Sequence, residues 1–161
     1  MTVIAYRNGV IAADRGVTGS DIWKGSGPKL SRSPAGSIAA ACGEYSLCGA
    51  FHELVEIGAV DKWLSQAKGS IFAGLSAHPG VEKVSSFGAI VVDHRGEVFL
   101  VDHWGWLCAG IEAEFHADGS GREFALGAMA AGADPVRACQ IACELDLTCR
   151  GPVDVMRLNC I

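Results

Sequence analysis

"TVIAYRNGVIAAD", residues 2–14, decides how the rest of the chain is read. Two short apolar runs, 2–6 and 10–14, flank Arg7-Asn8-Gly9. Asn-Gly is the strongest short hairpin signal, because a two-residue type I′ turn needs φ > 0 at both central positions. Both runs are nearly continuous in apolar character, the pattern of strands covered on both faces. The spacing predicts a buried hairpin that starts at the second residue, with Thr2 and Asp14 at its open end.

Such a hairpin needs a large core around it. The chain has 161 residues, the length of one domain, and half of them are hydrophobic. Its 21 glycines point to many tight turns and close backbone packing. The net charge is −5 and no stretch clusters Lys or Arg, so a nucleic-acid-binding face is excluded. No apolar run reaches the roughly 20 residues that cross a bilayer. Arg7 and Asp14 interrupt the apolar start too early for a secretory signal. We expect a cytoplasmic protein with neither a membrane nor a nucleic-acid partner. The seven cysteines are odd in number, scattered and without CxxC pairs, so neither a disulfide framework nor a zinc site is indicated. Most should be small buried hydrophobes. Cys139 and Cys143 stand one helical turn apart but lack a second ligand pair, and the five histidines are scattered. No metal or other cofactor is expected.

Outward from the hairpin, residues 15–36 are rich in Gly, Ser and Pro and are read as turns. Residues 37–42 (SIAAAC) form a buried strand. Leu47, Phe51, Leu54 and Val55 give 44–57 helical spacing, ended by Gly58, and a weaker helix follows at 60–67. Residues 69–85 are loop-like. Runs 87–93 and 97–102 form strands joined at His94-Arg95-Gly96, with a further strand near 106–110. Ser120 and Glu123 have the spacing of a capping box, so a helix starts there and ends at Gly132. Asp134-Pro135 starts the next helix, with Val136, Cys139 and Cys143 as its apolar stripe. Residues 153–158 (VDVMRL) form the final strand. The expected fold class is α+β in one domain spanning 1–161. Two antiparallel sheets stack face to face with helices outside both, a four-layer αββα sandwich.

The open end of the hairpin also has a chemical reading. A hydroxyl is a poor nucleophile at neutral pH and needs a base beside it. If Met1 is removed, the α-amine of Thr2 is such a base, with a reference pKa of about 8. A buried lysine nearby lowers that pKa further by like-charge repulsion, and an aspartate holds the lysine. The chain supplies Asp14, Lys29, and Gly43, whose N–H suits a developing oxyanion.

With these residues in view, the stretches "TVIAYRNGVIAADRGVTGSDIWKGSGPKL" and "IAAACGEYSLCGAF" resemble the start of proteasome β-type subunits and of the bacterial HslV peptidase. "GSGREFALGAMAAGADPVRACQIACELDLTCRGPVDVMRL" continues the resemblance, and the centre, 58–105, is less alike. These are N-terminal-nucleophile hydrolases with the αββα fold. The resemblance implies that Thr2 is the nucleophile, with Asp14 and Lys29 on the family's Asp and Lys and Gly43 on its oxyanion glycine. Ser120 falls on the serine that bonds the N-terminal amine, Asp146 on the second Asp, and Cys149 on a family serine. Val17, Ala41 and Tyr45 fall on substrate-pocket positions, and Thr18 where main-chain atoms pair with an extended substrate. Ala41 at the pocket floor leaves room for a large apolar side chain. The first hairpin is shorter than in HslV, and trimming both arms equally keeps the register. Cys149 puts a weaker hydrogen-bonding group where the family has a hydroxyl. A retained Met1 would leave the Thr2 nitrogen an amide, unable to act as base.

Each residue also has an ordinary explanation. Asp14 can end a strand, Lys29 can be a loop charge, Ser120 a cap and Asp146 a helix-end turn residue. Jointly they follow one pattern in order. His103-Trp104-Gly105-Trp106 is more often packing at a sheet edge or subunit interface than a ligand site. His52 is expected to be a packed or surface histidine.

The expected function is therefore a threonine peptidase that forms an acyl-enzyme on Thr2, with no metal or organic cofactor. By resemblance it cleaves polypeptides inside a homo-oligomeric ring, stacked in pairs and served by an ATP-dependent unfoldase. Two alternatives stay open: a non-catalytic structural or assembly protein that kept the fold, for example in a phage, and an amidase acting on a small molecule.

Overall fold

The computed structural model describes residues 2–19, 22–66, 86–101, 107–108 and 113–159. Met1, the loop expected at 69–85 and the His103–Trp106 cluster lie outside the described residues. In chain order the elements are β1 (Val3–Arg7), β2 (Val10–Asp14), β3 (Gly16–Gly19), β4 (Ile22–Ser26), β5 (Leu30–Arg32) and β6 (Ile38–Gly43). Then come α1 (Tyr45–Glu56), α2 (Ala59–Gln66), β7 (Phe87–Val92), β8 (Val98–Val101), β9 (Leu107–Cys108) and β10 (Phe115–Gly119). The chain closes with α3 (Arg122–Ala130), α4 (Pro135–Leu145) and β11 (Val153–Arg157). Two compact units result: Met1–Leu30 with Ala113–Arg157, and Ser31–Glu112 with Leu158–Ile161.

The first unit is built on the opening hairpin. Asn8 (φ 50°) and Gly9 (φ 74°) make the primed turn, and the register runs from Arg7↔Val10 to Ile4↔Ala13. β10 and β11 add antiparallel to either side, giving the order β10-β1-β2-β11. Val3, Ala5, Ala12 and Ala117 pack against Ala125 and Met129 of α3 and Ala138, Cys139 and Ala142 of α4. Ile4, Ile11 and Ala13 alternate with them and are buried as well. That double burial is why both runs are apolar at every position. The contact surfaces are small side chains, which let the helices lie close to the sheet. Asp134 caps α4 by accepting from Arg137 N at 2.8 Å, with Pro135 in the first turn.

The second unit carries the sheet β5-β6-β7-β8-β9. Leu47, Phe51 and Val55 of α1 and Val60 of α2 pack on Ala39, Ala41, Phe87, Ala89 and Val91. Phe51 meets Phe87 edge-on, with ring centroids 5.3 Å apart. Gly58 (φ 75°) ends α1 as expected, its N–H donating to Val55 O at 2.9 Å. The fold class is α+β: antiparallel sheets flanked, among the described residues, by four helices. No helix among those residues is long and apolar enough to cross a membrane.

The structure departs from the sequence-based expectation in four places. Residues 15–36 are not all turn: β3 and β4 form an antiparallel ribbon with a register shift between Val17 and Thr18, and β5 follows. Gly27 N donates to Arg15 O at 2.9 Å at the base of that ribbon. β10 was not anticipated, because as an edge strand it carries the mixed sequence FHADG and is only partly buried. The capping box does not form. Gly121 is the N-cap of α3, and no side chain caps it. Finally, β1 begins at Val3 and not at Thr2. Val3 N donates to the Asp14 carboxylate at 2.9 Å, so a side chain replaces the next rung of the β1–β2 ladder.

Candidate active site

Asp14 ends β2 and is fully buried. A carboxylate removed from water is tolerated only with its lone pairs satisfied. Here four donors converge on it. Val3 N (2.9 Å) and Lys29 Nζ (2.8 Å) bond Oδ1, while Gly16 N and Arg150 N (3.1 Å each) bond Oδ2. One side chain thereby ties together the start of β1, the entry to β3, the approach to β11 and Lys29. Lys29 precedes β5 and is 8% exposed. Gly16 is required by this arrangement, since a Cβ there would lie 2.7 Å from Arg150 O and 3.0 Å from Asp14 Oδ2.

Thr2 sits one residue before β1 and is 7% exposed. Its carbonyl accepts from Gly121 N at 3.3 Å and lies 3.3 Å from Ser120 Oγ. Gly119 pairs with Val3 across the β10–β1 ladder. It adopts φ 89°, and a Cβ on it would overlap the Thr2 carbonyl oxygen. The main chain at Thr2 is thus clamped from both sides, by Asp14 through Val3 N and by the Gly119–Gly121 turn through the carbonyl.

Ser120 extends the network. Its Oγ lies 3.3 Å from Thr148 Oγ1 and 3.5 Å from Cys149 Sγ. Asp146 terminates α4, and its Oδ1 accepts from Thr148 N (2.8 Å) and Thr148 Oγ1 (2.6 Å). Its Oδ2 accepts from Cys149 Sγ at 3.4 Å. Burial pushes the Asp146 carboxyl up. Hydrogen bonds from the Thr148 hydroxyl and N–H, Cys149 and Ser120 outweigh this and hold it below the usual carboxylate range. Burial pushes the Cys149 thiol up to about 12 and the Cys143 thiol to about 11, so neither is a thiolate at neutral pH. Among the described residues no His, Cys, Asp and Glu side chains cluster to hold a metal ion.

Six residues singled out from the sequence, Thr2, Asp14, Lys29, Ser120, Asp146 and Cys149, therefore share one neighbourhood of the first unit. Val17 and Thr18 lie on β3 in the same unit, both partly buried. The second unit holds the other three. Gly43 ends β6 with φ 118°, and a Cβ there would overlap the Ser86 carbonyl oxygen. Ala41 is 1% exposed, in the core beneath α1. Tyr45 opens α1 and is largely exposed. His52 is packed: its Nδ1 lies 2.7 Å from Ser31 Oγ, and its buried Nε2 has no hydrogen-bond partner in the described structure.

Comparison with solved structures gives this arrangement a context. HslV from Trypanosoma brucei matches with a TM-score of 0.66 over 97% of this chain and 98% of its own, at 22% identity. The fold is HslV-like. Thiobacillus denitrificans BPH in complex with epoxomicin matches with a TM-score of 0.66 at 21% identity, covering 98% of both chains. A second structure of that BPH gives 0.63 at 22% identity with the same coverage. No family model and no curated sequence matches the chain.

Within this HslV-like fold, sequence reasoning missed three residues of the network. Gly16 and Gly119 matter through contacts with atoms far away in sequence, and only the Gly-rich setting hinted at them. Thr148 looks like an ordinary residue in a helix-to-strand connection. The Asx-turn pattern Asp-x-Thr was its only local signal.

Proposed function

We propose that this chain is a threonine-type N-terminal-nucleophile peptidase. Removal of Met1 frees the Thr2 amine. The amine takes the Thr2 hydroxyl proton as Oγ attacks a peptide carbonyl, and a tetrahedral oxyanion forms. Collapse passes that proton to the leaving amine and leaves an acyl-enzyme, which water hydrolyses with the Thr2 amine again as base. Lys29, held by Asp14, keeps the amine's proton affinity low, and Ser120 and Asp146 support the amine. Gly43 is assigned the oxyanion N–H, and Val17, Thr18, Ala41 and Tyr45 the substrate-binding roles that the resemblance gives them.

The observation that carries this proposal is the double clamp on Thr2. Buried Asp14 and Lys29 stand on one side, and the Gly119–Gly121 turn stands on the other. A residue with no task has no reason to be fixed by a buried ion pair, because burying such a pair brings little net stability. We extend the proposal to a cytoplasmic homo-oligomeric ring that encloses the sites and receives unfolded polypeptide from an ATP-dependent unfoldase. Enclosure restricts a nucleophile that would otherwise attack any accessible amide.

Intact mass of the purified protein, followed by hydrolysis of unfolded casein and of small amides, tests the chemistry. The expected result is loss of Met1 and casein cleavage that disappears in Thr2→Ala. Met1 present in every molecule, or activity that survives Thr2→Ala, overturns it. Cleavage of small amides without casein would point instead to an amidase.

A further inference from the structure

Ser120 Oγ carries one proton, and three groups able to take it lie within 3.5 Å. These are the Thr2 carbonyl oxygen at 3.3 Å, Thr148 Oγ1 at 3.3 Å and Cys149 Sγ at 3.5 Å. Donated to any of them, it leaves the Ser120 lone pairs for the Thr2 nitrogen, in the same residue as the carbonyl it touches; donated to Thr148, it also couples Ser120 to the Asp146 carboxylate. Once the Thr2 amine has taken a proton it is a donor only, and needs acceptors around it.

Thr148 is already committed as a donor. Its Oγ1 lies 2.6 Å from Asp146 Oδ1, and an ionised carboxylate can only accept. The Thr148 N–H, at 2.8 Å from the same oxygen, fixes the residue in place. The lone pairs of Thr148 Oγ1 are therefore what it presents to Ser120. The Thr2 carbonyl already accepts from Gly121 N, and Cys149 is a poor competitor, because sulfur is a weak acceptor and its own proton is directed to Asp146 Oδ2 at 3.4 Å.

We propose that Thr148 is a positioning residue for the Thr2 amine: its hydroxyl receives the Ser120 proton and couples Ser120, the acceptor for the amine, to the Asp146 carboxylate. The hydrogen bonds then run in one direction, from ammonium to Ser120, to Thr148, to the Asp146 carboxylate. Each polarises the next, and the charge at the end of the chain favours the protonated amine. No covalent bond forms or breaks in this relay. The role rests on Thr2 being the nucleophile.

The test uses the full chain prepared to begin at Thr2, labelled with carbon-13 threonine, and follows the Thr2 signals through a pH titration. Thr148→Val is expected to lower the midpoint of the amine by about half a unit or more, because Ser120, the ammonium's acceptor, loses its link to the Asp146 carboxylate. On a peptide substrate it should lower kcat roughly tenfold with KM unchanged, the loss expected for one hydrogen bond made in the reacting state. Thr148→Ser should restore both. An unchanged midpoint in a folded Thr148→Val protein overturns the proposal, as does a Thr148→Ser protein that behaves like Thr148→Val. Thr148→Ala removes the same oxygen without adding a methyl to the network, and it carries the same expectation if the valine protein does not fold. The titration needs only a folded chain with a free Thr2 amine. Absence of peptidase activity in the wild type would therefore count against the proposed function, and an unchanged midpoint against the role of Thr148.

Discussion

Lys29 Nζ lies 2.8 Å from Asp14 Oδ1, with the lysine side chain 10% exposed and the aspartate fully buried. The two partners are not equivalent. Asp14 has three further donors, the N–H groups of Val3, Gly16 and Arg150, whereas the lysine brings a buried charge into the site. Asp14→Asn leaves that ammonium without its carboxylate and disturbs four hydrogen bonds. Its cost is expected to be roughly 3–5 kcal/mol, together with loss of hydrolysis. Lys29→Met keeps the three main-chain bonds to Asp14, so it should lose hydrolysis with a smaller cost in stability. Urea unfolding and casein hydrolysis on both variants check this split. Equal destabilisation by the two would show that the pair is a structural unit only.

Gly119 is held at φ 89° with the Thr2 carbonyl against its α-carbon. A methyl group there meets backbone, which cannot swing aside as a flexible side chain would. Gly119→Ala should displace Thr2 and remove hydrolysis even where the protein still folds. The strained φ alone should cost about 1 kcal/mol or more. Hydrolysis at the wild-type rate in a folded Gly119→Ala protein would mean that Thr2 is not the nucleophile or that the turn does not position it.

Much of this was legible in the sequence for identifiable reasons. The hairpin β1–β2 announces itself because Asn8-Gly9 admits one tight turn and because burial on both faces leaves no polar positions. Asp134-Pro135 announces α4 in the same way, by chemistry local to the residues. The ribbon β3–β4 was hidden by its glycines, which look like turns when read in isolation. Ser120 reads as a cap because its spacing to Glu123 is that of a capping box, whereas its hydroxyl lies beside the Thr2 carbonyl, more than a hundred residues away. Contacts of that range leave no periodicity. For the same reason Thr148, Gly16 and Gly119 emerge as parts of the network only from the structure.

His52 gives the second unit a pH dependence. Burial lowers it to about 4 from the ordinary 6.5, and its Nε2 has no hydrogen-bond partner among the described residues. The folded state resists protonation and the unfolded state accepts it. The unfolded state therefore binds more protons between these two values. Stability is fully present above pH 6.5 and falls as the pH drops toward 4, by an amount on the order of 3 kcal/mol at most. In His52→Gln that part of the fall should vanish, leaving the carboxylates to set the acid limit. Urea midpoints at pH 7, 5.5 and 4.5 for both proteins measure it. Parallel pH curves for the two would show that His52 does not contribute.

The thiols around the network provide a last prediction. Cys149 and Cys139 are fully buried, and burial holds Cys149 at about 12 and Cys143 at about 11. Alkylation requires the thiolate, so at pH 8 both should react with iodoacetamide at least about a hundredfold more slowly than a free cysteine. Cys139 is raised in the same direction. Casein hydrolysis by a threonine nucleophile should therefore survive prolonged iodoacetamide treatment, with label absent from Cys139, Cys143 and Cys149 on peptide mapping. Rapid labelling of Cys149 with activity falling in step would mean that the sulfur, 3.5 Å from Ser120 Oγ, is an accessible and essential group. Labelling confined to cysteines elsewhere in the chain, with activity intact, is the outcome expected when hydroxyls and an amine do the chemistry.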